Sequence, residues 1–285
     1  MLYLHLDPGF KPFQDKIIKF NTFKFPAGEL HIKDIVLPAT RSKEVTITHR
    51  IKNSDDLMLI LLAKDVLSNM GMEKINLFIP YLPYARQDRR TAYSEPLSIK
   101  VFTTIINNAN FNSVSILDPH SDISTALLDR CYTIGNCSYV HFSINKINEV
   151  YSFHTEKKPY MISPDAGAHK KVTSYASKFR HMISGLIKCD KTRDTATGKL
   201  SGFDVYTDNL QGKPCLIIDD ICDGGGTFIG LAEKLKKKNA GSLYLYVTHG
   251  IFSNGFDELS KHFIKIFTTN SYQNIDNPLI KQLEL

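Results

Sequence analysis

No stretch of this 285-residue chain stays apolar for the roughly 18 residues needed to cross a bilayer. Its first residues also lack the pattern of a secretion signal, so no membrane partner is expected and the location read from the sequence is cytoplasmic. Cysteine is sparse: the five residues, at 131, 137, 189, 215 and 222, are odd in number, scattered and without CxxC spacing. That argues against a disulfide framework and a zinc site, and reads as reduced thiols. Strong charge is missing too. A formal net charge of +6 suits anionic small molecules as well as it suits nucleic acid, and without a basic stripe interleaved with aromatics no nucleic-acid partner is expected. What remains is 42% hydrophobic and 22% charged residues, a globular composition in a chain long enough for two domains with a core each.

Strand-like and helix-like segments alternate along the chain. Glu44 to Thr48 is β-rich, and Ser54-Asp-Asp reads as the cap of a helix with Leu57, Ile60, Leu61 and Leu67 on its apolar face and Gly71 at its end. Ile75 to Ile79 is an apolar strand, Glu95 to Asn108 is helical, and strand Val114 to Leu117 ends in Asp118-Pro-His120. The pattern then restarts with strand Tyr160 to Ile162, loop Ser163-Pro-Asp-Ala-Gly167 and a helix from Ala168 to Phe179. Strand Gly185 to Cys189 leads into a long polar connection, Asp190 to Lys213. A helix from Thr227 to Lys238 and strands Ser242 to Thr248 and Phe263 to Thr268 complete the chain. Such alternation predicts two α/β domains with mainly parallel sheets flanked by helices, here divided into residues 1–142 and 143–285. Ligands of such sheets sit beyond the carboxyl ends of the strands, where His120, Asp165, Lys191 and Asp219 all fall. The Lys234 to Lys238 run reads as a solvated helix end that complements the helix dipole.

The most chemically loaded segment is Cys215-Leu-Ile-Ile-Asp-Asp-Ile-Cys-Asp-Gly-Gly-Gly-Thr227. An apolar strand, Leu216 to Ile218, ends in Asp219 and Asp220. Asp223 and three glycines, Gly224, Gly225 and Gly226, follow before Thr227 opens a helix. Glycines let backbone N–H groups close around a phosphate at a helix N-terminus, while paired acids suit ribose hydroxyls or magnesium. By itself the segment would also serve as a plain βα turn. A second loaded segment, Pro80-Tyr-Leu-Pro-Tyr-Ala-Arg-Gln-Asp-Arg-Arg90, sets arginine forks suited to triphosphate oxygens beside a glutamine.

With these two segments, Glu95-Pro, Asp118-Pro-His120, Ser163-Pro-Asp-Ala-Gly167, Asp190-Lys-Thr-Arg193 and Thr248-His-Gly-Ile-Phe-Ser253, the chain resembles the ribose-phosphate diphosphokinases, from about residue 23 to residue 270. The resemblance implies two tandem phosphoribosyltransferase-type (type I) domains and a reaction that moves the β,γ-diphosphate of ATP to the C1 hydroxyl of ribose 5-phosphate, releasing AMP. It assigns Phe25, Gly28, Glu29, Arg86, Gln87 and His120 to ATP, with Phe25 stacking on adenine from a neighbouring subunit. His120, Asp165 and Asp118 fall to magnesium, and Lys191 and Arg193 to catalysis from a mobile loop. Asp219, Asp220, Asp223, Gly224, Gly225, Gly226 and Thr227 fall to the ribose phosphate. It further implies a homo-oligomer, a dimer or hexamer. The chemistry agrees: displacement at phosphorus spreads charge over oxygens, so magnesium and fixed cations matter more than a nucleophile. The long polar connection after Asp190, with Gly198 and Gly202, reads as a lid.

The chain departs from the family pattern in places. Ala27 stands where the nucleotide turn has an acid, and the chain begins about ten residues closer to that turn. Gly224 stands where the phosphate loop has threonine. A loop opened in that way would also admit a ribose 5-phosphate carrying a further group, such as ADP-ribose. Two other readings compete. A phosphoribosyltransferase explains the Asp219 to Thr227 loop but not the Arg86 segment. A non-catalytic regulatory homologue would be signalled by degraded catalytic positions, whereas Lys191, Arg193, His120 and Asp165 are present.

Overall fold

The structure, a computed structural model, describes residues 1–151, 158–193 and 200–285, and for residues 192–193 and 200–201 the backbone alone. The chain forms two compact units, Met1–Gly135 with Ser271–Gln273 and Leu285, and Asn136–Asn270 with Asn274–Glu284.

The first unit runs β1 (Leu2–His5), β2 (Lys19–Lys24), β3 (Leu30–Val36), β4 (Glu44–Thr48), α1 (Ser54–Asn69), β5 (Lys74–Ile79), α2 (Ser98–Asn108), β6 (Ser113–Leu117), α3 (Asp122–Leu127) and β7 (Cys131–Ile134). Its sheet is parallel throughout, in the order β1-β4-β5-β6-β7, while β2 and β3 form a separate antiparallel hairpin. The cap of α1 is Asn53, one residue before the expected Ser54. Asn53 Oδ1 accepts from the backbone of Asp55 and Asp56, and Asp56 accepts in return from the Asn53 N–H, a reciprocal capping box. The buried stripe of α1 is Leu59, Ile60, Ala63 and Leu67; Leu57 and Leu61 are only half-buried, because the core-facing rows run through 59, 60, 63 and 67. Helix α2 starts at Ser98 and not at Glu95, since the residue before Pro96 is kept out of helical backbone.

The second unit runs α4 (Cys137–Val150), β8 (Tyr160–Ser163), α5 (Ala166–Lys178), β9 (Gly185–Arg193), β10 (Leu200–Val205), β11 (Cys215–Cys222), α6 (Gly226–Lys237), β12 (Leu243–Gly250), α7 (Asp257–Ser260), β13 (Lys265–Thr269) and β14 (Ile280–Leu283). The sheet order is β10-β9-β8-β11-β12-β13-β14, antiparallel only at β9–β10. The central strands are apolar on both faces because both are covered. Ile217, Leu245 and Val247 pack with Phe228, Leu231 and Leu235 of α6 on one face. Leu216, Ile218 and Tyr246 pack with Ile144 of α4 and Val172 of α5 on the other.

Two segments differ from the sequence reading. Strand β11 does not stop at Ile218 but continues through both acids to Cys222, held by parallel pairing to β12 as far as Gly250. The connection after Cys189 is in large part a β-hairpin, with Lys191 opposite Phe203 and Cys189 opposite Val205. Phe203 anchors it: the ring is buried in the core beneath α6, and a Cβ on Gly230 would lie 3.0 Å from it. Residues 194–199 of the connection that reads as a lid lie outside the described residues.

The end of β12 leaves no room for a side chain. A Cβ on Gly250 would lie 2.3 Å from Phe252 Cε2 and 2.8 Å from Thr268 Oγ1. Gly250→Ala is expected to destabilise the protein by about 1–3 kcal/mol through overpacking. Thermal unfolding checks this, and an unchanged Tm would contradict the packing described.

Candidate active site

Four neighbouring strands of the second unit bring the predicted groups to one edge. Across their carboxyl ends, β9 carries Lys191, β8 leads to Asp165, β11 carries Asp219 and Asp220, and β12 leads to the turn at residues 251–255. Asp165 caps α5, its Oδ1 accepting from the Ala168 N–H at 3.1 Å, and its Oδ2 accepts from Lys191 Nζ at 2.5 Å. Both side chains are about one-fifth exposed, so this pair is shielded more than a surface salt bridge. Beyond Lys191 lies Asp190, whose Oδ2 accepts from Tyr206 Oη at 2.8 Å; His169 Nε2 stands 3.0 Å from the Cys189 carbonyl. The Arg193 backbone ends β9, and its side chain is outside the described residues.

Asp219 accepts from the Asp220 N–H at 3.0 Å. Burial, together with the charges of Asp220 and Asp165, pushes the Asp219 carboxyl well above the usual carboxylate range. Beside this acid-rich wall the chain turns through Asp223 and the glycines. Gly225 has φ 81°, a left-handed conformation that favours glycine, and α6 then begins at Gly226. This 12-residue helix opens with the Gly226 and Thr227 N–H groups, while those of Phe228 and Ile229 donate to the Gly225 carbonyl at 3.0 and 3.1 Å; a helix N-terminus of this kind suits an anion. The cysteines take no part: burial pushes the Cys189, Cys215 and Cys222 thiols up to about 12, far from a nucleophilic thiolate.

In the first unit, the adjacent parallel strands β5 and β6 place the Arg86 segment and the Asp118 segment at one edge, joined by the Leu117 N–H donating to the Pro80 carbonyl at 3.1 Å. Arg86, Gln87 and His120 are exposed, while Asp88 and Asp118 are buried. Tyr84, two residues before Arg86, has φ 63°, a strained value for a bulky side chain, and Asp118 itself takes φ 42°, which an aspartate tolerates better. Phe25, Gly28 and Glu29 form the tip of the β2–β3 hairpin. The Phe25 N–H donates to the Glu29 carbonyl at 2.9 Å, and Gly28 takes φ 94°. The 46%-exposed Phe25 ring stands edge-on to Phe23 at 4.9 Å, with His31 at 5.8 Å. A cavity of about 280 Å³ in this unit lies at the opposite, amino ends of the strands, among Lys64, Asn110, Asn112 and Arg130, and shares no residue with the predicted site.

Asp118 and His120 belong to the first unit and Asp165 to the second. Among the described residues, no three His, Cys, Asp or Glu side chains are gathered as a metal-binding group. Phe23 and His31 stand beside Phe25, Tyr206 beside Asp190 and Asn254 beside Gly224, none of them singled out by a sequence motif. Phe23 was findable, since it shares the face of Phe25 at a two-residue spacing. Asn254 was signalled by the Asn-Gly pair that ends the turn, but nothing in the sequence indicated which loop it would touch.

Folding takes up a proton at Asp219, because its carboxyl is raised in the native chain. The stability associated with that proton is fully present below the ordinary carboxylate range and is lost as pH rises through the raised value. Asp219→Asn should therefore match the wild type below about pH 4 and exceed its Tm increasingly toward neutrality. Equal Tm values at every pH would contradict the crowding.

The family model for the N-terminal domain of ribose phosphate pyrophosphokinase matches residues 12–109. Ribose-phosphate pyrophosphokinase of Mycoplasma genitalium is 28% identical over 271 residues, which span 92% of this chain and 77% of that protein. The Hyphomonas neptunium protein of the same name is 32% identical over 200 residues, 70% of this chain and 61% of that protein. The crystal structure of phosphoribosylpyrophosphate synthetase from Mycobacterium smegmatis shares the fold, with a TM-score of 0.81 at 21% identity over 99% of this chain and 94% of that one.

Proposed function

We propose that this chain, which belongs to the ribose-phosphate pyrophosphokinase family, transfers the β,γ-diphosphate of ATP to the C1 hydroxyl of ribose 5-phosphate. The observation that carries this reading is the Lys191–Asp165 pair beside Asp219 and the glycine loop. It sets a cation that can be released to a phosphate next to acids that hold hydroxyls, and next to a cradle for a second phosphate. In the reaction the C1 oxygen bonds to the β-phosphorus, the bond from that phosphorus to the bridging oxygen of the α-phosphate breaks, AMP leaves, and the hydroxyl proton is lost.

The ribose phosphate is assigned to Asp219, Asp220, Asp223, Gly224, Gly225, Gly226 and Thr227: N–H groups and the Thr227 hydroxyl for the 5-phosphate, carboxylates for the ring hydroxyls. Lys191, with Arg193, is assigned to the charge that spreads over the transferring oxygens. Arg86, Gln87 and His120 are assigned to ATP. Phe25, Gly28 and Glu29 are assigned to the adenine of ATP bound by a neighbouring copy, which makes the working protein a homo-oligomer. The exposure of the Phe25 ring at a hairpin tip supports this. Magnesium would neutralise charge on the phosphates; Asp165 in the second unit and, separately, Asp118 and His120 in the first are the residues assigned to it. Such an ion takes one or two carboxylates completed by substrate oxygens, and the bond that Asp165 accepts from Lys191 supports a cation-facing role for this carboxylate.

Incubation with ATP, magnesium and ribose 5-phosphate, followed by ion-exchange separation of nucleotides, should yield AMP. ADP alone would sink the assignment, and AMP release with ADP-ribose but not with ribose 5-phosphate would overturn the acceptor. Lys191→Ala should lower kcat by at least about a hundredfold with little change in KM for ATP. A steep rise in KM at unchanged kcat would make Lys191 a binding residue instead.

A further inference from the structure

The loop between Asp223 and Thr227 carries no side chain, yet the space beside its first glycine is filled. A Cβ built on Gly224 would meet Asn254 Nδ2 at 2.9 Å and Asn254 Cγ at 3.6 Å, with Ser253 Oγ at 3.9 Å. Asn254 thus occupies the place that the side chain of residue 224 would take. It is held there by its own bond, Nδ2 donating to the Gly224 carbonyl at 3.1 Å. The neighbouring Ser253 is locked to the same loop twice, its N–H donating to the Asp223 carbonyl at 3.2 Å and its Oγ to Asp223 Oδ1 at 2.7 Å.

The turn is built to hold this position. The Ile251 and Phe252 N–H groups both donate to the Cys222 carbonyl, at 2.9 and 3.1 Å. Phe252 takes a left-handed φ of 49° with its ring buried against Gly250, and the Gly255 N–H closes the turn onto the Phe252 carbonyl at 2.9 Å. A primary amide has two hydrogens, and the bond to Gly224 uses one. The second is available at the rim of a loop whose own residues, Gly224 to Gly226, offer only backbone donors.

We propose that Asn254 is a sugar-phosphate-binding residue: its amide replaces the side chain missing at Gly224 and donates to the 5-phosphate, while Ser253 positions the Asp223 carboxylate for the ribose. The proposal rests on the functional reading above and adds to it a second side-chain donor beside the Thr227 hydroxyl.

Asn254→Asp keeps the shape, removes the amide hydrogens and adds a charge of the phosphate's own sign. It should raise KM for ribose 5-phosphate by about tenfold or more, leave KM for ATP within about twofold, and leave Tm near the wild-type value. Asn254→Ala should act in the same direction with a smaller effect. Gly224→Thr alone should lose affinity for the sugar phosphate because of the 2.9 Å approach, and adding Asn254→Gly should restore part of it. Unchanged KM for ribose 5-phosphate in both Asn254→Asp and Asn254→Ala would overturn the proposal. Calorimetry with inorganic phosphate separates this from the wider reading. Should the wild type release no AMP, the diphosphotransferase assignment falls, yet phosphate binding by wild type that is lost in Asn254→Asp still supports the role of Asn254. Equal binding by the two proteins, or none by the wild type, overturns it.

Discussion

Asp165, Asp219 and Asp220 meet at one edge of the second unit because three apolar strands leave them no alternative. Strand β8 lies between β9 and β11, so the residue that follows it stands between what those two neighbours carry, Lys191 on one side and Asp219 on the other. A parallel sheet sends all carboxyl ends the same way, and the buried faces of Ile217 and Ile218 fix which way each acid points. The arrangement is strained in the electrostatic sense. Asp219 holds its proton more tightly than a free carboxyl would, and Asp165 keeps a lysine close. Under the function proposed above, both conditions would be relieved by the arrival of a cation and a sugar.

The glycine loop beside these acids depends on shape. Gly225 supplies the left-handed turn, α6 supplies a helix N-terminus, and the 251–255 turn closes on the loop from β12. Glycines alone would leave this loop loose, since they lose more freedom on folding than any other residue. The bonds from Ser253 and Asn254 restore the constraint from outside the loop. Acid wall and glycine loop are therefore held by adjacent strands of one sheet, which keeps their spacing fixed while Lys191 sits on a hairpin at the other side.

Much of this was legible in the sequence because it rests on local rules. Leu216 to Ile218 reads as a strand buried on both faces, the glycines and Thr227 read as a helix start within one residue of α6, and Ile75 to Ile79 is within one residue of β5. The misreadings share a cause: long-range pairing. Nothing local tells that Asp219 to Cys222 stay in a strand, because they are held by β12 and not by their own apolarity. Polar Asp190 to Arg193 read as loop for the same reason, their partner strand being anchored by a single buried aromatic, Phe203. The contact between Asn254 and Gly224 spans 30 residues and has no periodicity to announce it.

The central claim is that carboxylates crowded at one strand edge await a cation and a sugar phosphate. Proton linkage tests it most directly. Calorimetric titration with magnesium and ribose 5-phosphate, run at a series of pH values rising from about 4 in buffers of different ionisation enthalpy, counts the protons exchanged on binding. The account predicts proton release, as Asp219 ionises beside the arriving cation. Binding without proton exchange throughout the series, or with proton uptake, would contradict it.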